Sequence, residues 1–362
     1  MKKASKFKNL TIILLLLLSS LETFGQTACT QTLRRARTVF DEGRIQEIES
    51  LLTSCIDNGF SDEERTEAYR LLILSYIYLD ETQKADDAMI ALLRDNHGYS
   101  TNNDADPAEL INLYNTFRHD PIFFFGFRAG GNATFINVIN AFGIHNQNNT
   151  NAEYLIEPSF EVGLTFEKKF GKRITVKSDL QYLVNAFQYE NSYLENEDDN
   201  TNLIDLNATE TINSFGATFM GQFSFFKDKK EKDKRKLARW NPYVGLGGTA
   251  RFITSSSLAF DVNNSVGASP DGSDVDLFDE DVRELFNPTV DIEIGVKRAW
   301  GLNYINFGIR GSYGLLDVTD RHYVNGPLTT FFGWAANDIN THSATVFLAI
   351  LLPKYAPKKL TK

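Results

Sequence analysis

Between Pro121 and Pro353, apolar side chains recur at every second position through eight short segments. In the first, one alternate set is Phe123, Phe125, Phe127 and Ala129, and the other is Phe124, Gly126, Arg128, Gly130 and Asn132. A period of two marks a strand with two unlike faces. The pattern predicts strands over 121–135, 157–169, 173–187, 211–226, 240–255, 287–299, 303–315 and 341–353. Each covers the roughly ten residues that a tilted strand needs to cross a bilayer. The predicted connections alternate in length: 136–156, 188–210, 256–286 and 316–340 are long, 170–172 and 300–302 are tight, and 227–239 is intermediate.

One face of this array is apolar throughout. It includes Phe160, Val162, Leu164 and Phe166, then Phe215, Ala217, Phe219, Phe223 and Phe225, and it ends with Val346, Leu348, Ile350 and Leu352. The other face carries Arg128, Lys177, Arg251, Lys297 and Arg310 against Glu161, Glu167, Asp179, Asp291 and Glu293, five charges of each sign. In a bilayer every strand edge must be paired, so spanning strands close into a barrel, with the apolar face toward lipid. Eight strands leave an interior that side chains fill, so paired charges there form a rigid network. Glycines on the inward face, Gly126, Gly163, Gly216, Gly245, Gly247, Gly295 and Gly308, leave room for long Arg and Lys side chains. A soluble barrel with the charged face outward obeys the same alternation. The many phenylalanines and the asymmetry of the loops favour the membrane.

Residues 27–118 change period from two to that of a helix. Runs over 32–40 and 44–55 meet at Glu42-Gly43, with Ile45, Ile48, Leu51, Leu52 and Cys55 on one face. Ser61-Asp62-Glu63-Glu64 is a capping box, in which the hydroxyl and the carboxylate satisfy free amides reciprocally. It opens a helix with Ala68, Leu71, Leu72, Ser75 and Tyr76 inward. A fourth helix spans 82–94, and Asp106-Pro107-Ala108-Glu109 begins a fifth, with Pro107 at the first helical position. Two helix pairs and a terminal helix, at a period of about 34 residues, look like tetratricopeptide-type repeats in part, without the repeat's Trp and Gly-Tyr signature positions. In such a hairpin the outer ends of a pair are neighbours, and Cys29 and Cys55 occupy them. A disulfide is the first reading and two buried free thiols the second.

A basic start (Lys2, Lys3, Lys6, Lys8) precedes an apolar run from Leu10 to Leu18, the form of a secretory signal over 1–25. Export places both cysteines in an oxidising compartment. Removal of 1–25 takes four lysines and Glu22 and moves the formal charge from -10 to -13. An acidic chain is a poor nucleic-acid binder, so no nucleic-acid partner is expected.

Few residues offer chemistry. The long connection 256–286 holds Asp271, Asp274 and Asp276, weak candidates for Ca²⁺ through hard oxygen ligands, although their spacing is not that of an EF-hand loop. The connection 227–239 is basic, with Lys227, Lys229, Lys230, Lys232, Lys234, Arg235, Lys236 and Arg239. It reads as a solvated turn or as a dock for an acidic surface. His342-Ser343 and Asp320 with His322 are the candidates for a hydrolytic site. No zinc spacing, phosphate loop or nucleophile elbow is present.

The alternating segments, the Gly-x-aromatic repeats and the closing strand Ala344 to Leu352 resemble the PorT-like outer-membrane barrels of bacteria that use type IX secretion. Ahead of them, Cys29, Gly43-Arg44, Cys55, Ala68-Tyr69-Arg70-Leu71 and Asp106-Pro107-Ala108-Glu109-Leu110 resemble a short helical-repeat module found before some such barrels. The resemblance implies a structural or accessory envelope protein, in some members linked to secretion, and no catalytic residue. The expected fold class is α+β multidomain. A tetratricopeptide-like all-α domain at 27–118, in the periplasm, precedes an eight-stranded antiparallel transmembrane β-barrel at 121–355 in the outer membrane. The expected function is a non-enzymatic anchor without a cofactor. Its partners are outer-membrane lipid and, through 27–118, a periplasmic or envelope protein. The alternatives are a surface protease or lipid-modifying enzyme, and a small porin or ligand channel. A hairpin within 316–340, around Leu328 to Trp334, would raise the count to ten strands.

Overall fold

The computed structural model describes residues 22–141, 153–196, 201–226, 240–264, 275–277, 282–320, 334 and 336–360. The described residues divide into two compact units: those of 122–354 make the larger, and the region before Ile122 together with the segment after Lys354 makes the smaller.

The smaller unit is helical: α1 (Glu22–Asp41), a 3-10 turn (Ile45–Glu47), α2 (Ile48–Asp57), α3 (Asp62–Tyr78), α4 (Thr82–Asp95) and α5 (Ala108–Asn115). Ser61 caps α3: its hydroxyl accepts from the Glu64 N–H at 3.3 Å, and the Glu64 carboxylate accepts from the Ser61 N–H at 3.1 Å. The other Glu64 oxygen accepts from the Thr30 hydroxyl at 2.7 Å, which ties α1 to α3. One core unites the five helices, centred on Leu33, Ile48, Leu52, Ile73, Met89 and Leu110. Ile45 belongs to the 3-10 turn, which buries no residue. Pro107 is the residue before α5, not its first residue. Asp106 makes no cap there. It receives the Arg70 guanidinium at 2.6 Å and the Asn102 N–H at 2.6 Å, which closes the 102–106 loop.

The larger unit is a closed antiparallel ring. Its strands are β1 (Phe123–Asn140), β2 (Glu153–Phe170), β3 (Ile174–Asn196), β4 (Thr201–Ser224), β5 (Asn241–Asn264), β7 (Thr289–Trp300), β8 (Asn303–Gly314) and β9 (Asp338–Lys354). Each pairs with the next and β9 closes on β1. A two-residue strand, β6 (Val275–Asp276), adds only to the side of β5. The ring therefore has eight strands; of the 316–340 connection, 321–333 lies outside the described residues. At one end the turns are tight, each with a glycine in the left-handed region: Gly171 at φ 76° and Gly301 at φ 60°.

The strands are longer than the alternation predicted. Of the connections read as loops, most of 188–210 continues β3 and β4, and 256–264 continues β5. Beyond the bilayer no lipid demands an apolar outer face, so the alternation fades although the ladder continues. The register then runs without a break from Ile174↔Phe223 to Tyr193↔Ile204.

Candidate functional site

The outer surface of the ring is apolar. Phe127, Leu180, Phe215, Phe219, Leu246, Ile292, Ile294 and Ile309 are all exposed. Such a surface is unstable in water and suited to hydrocarbon. Trp240, Trp300, Leu302 and Phe225 continue it toward the tight-turn end.

The interior holds the charges, and they are buried. Glu293 is their hub. Its Oε2 accepts from Arg128 at 3.0 Å and from both Nε and Nη2 of Arg310, at 3.0 and 2.8 Å. Its Oε1 accepts from Gln222 at 3.0 Å and from the Tyr243 hydroxyl at 2.8 Å. Lys177 Nζ lies 3.0 Å from each oxygen. Arg310 also donates to Asp179 at 2.5 Å, and Arg128 donates to Glu161 at 2.7 Å. This layer sets three cations against three carboxylates. One level toward the tight turns, Lys297 donates to Glu167 and to Gln222, both at 2.6 Å. Away from the turns, Asp291 accepts from Thr249 at 2.5 Å and Thr289 at 2.8 Å.

Arg251 is the departure from the expected pairing. It is 3 % exposed, and its Nε has no hydrogen-bond partner among the described residues. The glycine rows also serve another purpose than the one expected. A Cβ at Gly308 would meet the Phe347 ring at 2.8 Å, and one at Gly295 would meet the Tyr243 hydroxyl at 2.7 Å. They make room for two aromatic rings as much as for Arg and Lys tips. Phe347 in turn lies under the Arg128 guanidinium, 3.6 Å from ring centroid to Cζ. Gln222, Tyr243 and Phe347 went unnoticed in the sequence. Their only signal is an inward position in a strand; for Tyr243 and Phe347 the neighbouring inward residues Gly245 and Ala349 are also small.

Toward the long-connection end three further groups lie in succession. Phe187, Ile212, Ile253, Val318 and Ile339 form an apolar layer. Above it, Arg283 donates to both oxygens of Glu210, at 2.7 and 2.6 Å, and to Thr319 at 2.7 Å. Both residues fall in the predicted connections 188–210 and 256–286, yet both are buried. A second apolar cluster follows, with Tyr189, Leu206, Leu258, Phe260, Leu277 and Trp334.

The remaining predicted sites are dispersed. Cys29 and Cys55 are joined, with Cα atoms 5.7 Å apart. Asp276 lies on β6, while Asp271 and Asp274 are outside the described residues, as are 227–239, most of the signal segment and His322. Among the described residues no three His, Cys, Asp or Glu side chains group as a metal site. His342 and Ser343 point to opposite faces of β9. The imidazole stacks on Tyr313, centroids 4.2 Å apart, and its Nδ1 accepts from the Gly314 N–H at 3.2 Å. Ser343 is buried on the inward face. That geometry does not join a base to a nucleophile.

A closed eight-stranded ring, apolar outside and charged inside, defines a β-barrel of the transmembrane type. Solved structures similar to the chain include the outer membrane protein OprG from Pseudomonas aeruginosa, at 13% identity and TM-score 0.32, over 65% of this chain and 98% of that one. Neisserial surface protein A (NspA) is similar at 12% identity and TM-score 0.28, over 63% and 96%. The Yersinia pestis attachment invasion locus protein Ail, solved with the heparin analogue sucrose octasulfate, is similar at 10% identity and TM-score 0.24, over 64% and 99%. No family model and no curated protein matches the chain.

Proposed function

We propose that the protein is a non-enzymatic outer-membrane anchor. In this reading the barrel holds a periplasmic, tetratricopeptide-like helical unit in place, and that unit binds a protein partner of the envelope or of a secretion machinery. The placement in the PorT-like group is part of the proposal and rests on the sequence marks alone. The observation that carries the anchor reading is the Glu293 hub. Among the described residues, a neutral, hydrogen-bonded ion network crosses the lumen and the apolar layer at Phe187 lies above it, which supports an anchor over an open channel. Paired charges in a low-dielectric interior favour one rigid arrangement over exchange.

The experiment is an affinity capture of the tagged protein from detergent-solubilised envelopes, with mass spectrometry, beside a variant lacking 27–118. A partner captured by the full chain and lost with that deletion is the expected result. Equal capture by both would overturn the docking role of the helical unit.

A further inference from the structure

The chain does not end with its last barrel strand. Residues 355–360 belong to the helical unit. Phe117 and Lys359 form an antiparallel bridge. The Arg118 N–H donates to the Lys358 carbonyl at 2.9 Å, and the Leu360 N–H donates to the Thr116 carbonyl at 2.8 Å. The Arg118 guanidinium grips the Ala356 carbonyl through Nε at 3.1 Å and Nη2 at 2.7 Å. The Lys359 ammonium bonds the Asp86 carboxylate on α4. The Tyr355 ring stacks on His97, centroids 4.7 Å apart. This is strand addition to a short extended segment: main-chain bonds supply affinity and two side chains supply selection.

The tail lies on this face without entering the core. Lys358, Lys359 and Leu360 are exposed, Leu360 at 54%, whereas Phe117 beneath them is 1% exposed. Tyr355, Ala356 and Pro357 are half-buried and none of the segment joins the helical core, so it opens at lower cost than the helices it rests on. Its charge is opposite to that of the helical unit, and Asp86 is the carboxylate it meets. Residues 27–118 carry seventeen Asp and Glu against nine Lys and Arg, and the tail contributes Lys358 and Lys359. An acidic surface concentrates basic segments before any specific contact forms.

We propose that the face built by Thr116–Arg118, Asp86 and His97 is a docking surface for an extended basic segment, and that residues 355–360 occupy it in cis. The inference rests on the partner-binding reading of the helical unit and names its surface. The segment recognised has an aromatic residue over His97 and, four residues on, a lysine at Asp86. A tethered occupant has an effective concentration on the order of millimolar, so an outside segment binds only after displacing it.

The test uses the whole protein in detergent micelles and a fluorescent peptide of residues 355–362, read by anisotropy. A chain ending at Lys354 should bind the peptide, and the full chain should bind it at least about ten-fold more weakly. The peptide carrying K359E should lose binding. Equal binding by both proteins, or binding by neither, would overturn the proposal. A second readout does not depend on truncation. In the full chain, D86K should speed chymotryptic cleavage after Tyr355, and D86K with K359E should slow it again. Unchanged cleavage in D86K also overturns the proposal. The two readings fail separately: peptide binding with no captured envelope partner removes the partner reading and leaves this surface standing.

Discussion

Glu293 and Arg310 stand directly opposite each other on β7 and β8, and the guanidinium reaches back with two nitrogens to one carboxylate oxygen. A cross-strand pair of opposite charge is stabilising wherever it occurs. Here the pair is buried and its carboxylate also serves Lys177 and Arg128, so losing that one group leaves three cations short of an acceptor. Breaking a buried pair by removing one partner costs about 3–5 kcal/mol. E293A should therefore lower barrel stability by about that amount, read by urea unfolding in lipid vesicles. A loss below about 1 kcal/mol would mean that the network is not a stabilising hub.

The same closure predicts electrical silence. Purified protein in a planar bilayer should give no steady porin-like current, because the ionic layer and the layer at Ile212 and Ile253 both block the lumen. Regular open steps in the unmodified protein would restore the channel reading.

Closure of the ring has its own weak point. A Cβ on Gly126 would lie 2.1 Å from the Ile350 carbonyl oxygen, across the β1–β9 seam. Backbone cannot yield there as a side-chain tip can. G126A should push the seam apart and reduce the fraction that becomes heat-modifiable on a gel after refolding. G131A is the control, since the nearest atom to its Cβ is 3.8 Å away. Equal yields for the two variants would show that the seam tolerates the extra atom.

The barrel was legible in the sequence because lipid imposes one chemistry on one face. Phe215, Phe219 and Phe223 announce a strand by themselves. Asn207, Thr209 and Thr211 on the same strand do not, because their outer face meets water and any polar residue serves. The interior charges were legible as a set, but their partners were not. Glu293 meets Lys177 across 116 positions of sequence, and only the shear of the ring brings them together. Glu210 and Arg283 fall in predicted connections because burial by distant strands leaves no local mark. The tail was invisible for the same reason: its seat is made 238 residues earlier.

Helix α3 predicts a pH effect. The Glu64 carboxylate is held below its ordinary value of 4.5, first by the Thr30 hydroxyl and next by the Ser61 N–H, against a small opposing effect of burial. A group whose folded value is depressed stabilises the fold above its unfolded value, and that contribution fades as the pH falls through the folded value. The helical unit should lose stability as the pH drops below about 4.5, and E64Q should flatten that acid limb. Far-ultraviolet circular dichroism of both proteins across the range is the measurement. Identical acid limbs would remove Glu64 from the account.

The disulfide predicts a larger effect in the same unit. Cys29 and Cys55 are 26 positions apart, and closing a loop of that length restricts the unfolded chain by about 3–4 kcal/mol in the chain-entropy account. The bridge also has a neighbour that fixes its surroundings: a Cβ at Gly59 would lie 2.5 Å from the Cys29 sulfur. Replacing both cysteines by serine should lower the denaturant midpoint of the helical signal, since both positions are buried in the core and the hydroxyls gain no apolar contacts there. G59A, with the bridge intact, should lower it by a smaller amount, because the sulfur must shift to admit the methyl group. A double-serine protein with an unchanged midpoint would mean that helix packing alone holds α1 to α2. A G59A effect as large as the double replacement would mean that crowding at the sulfur, and not the covalent link, sets the stability of that corner.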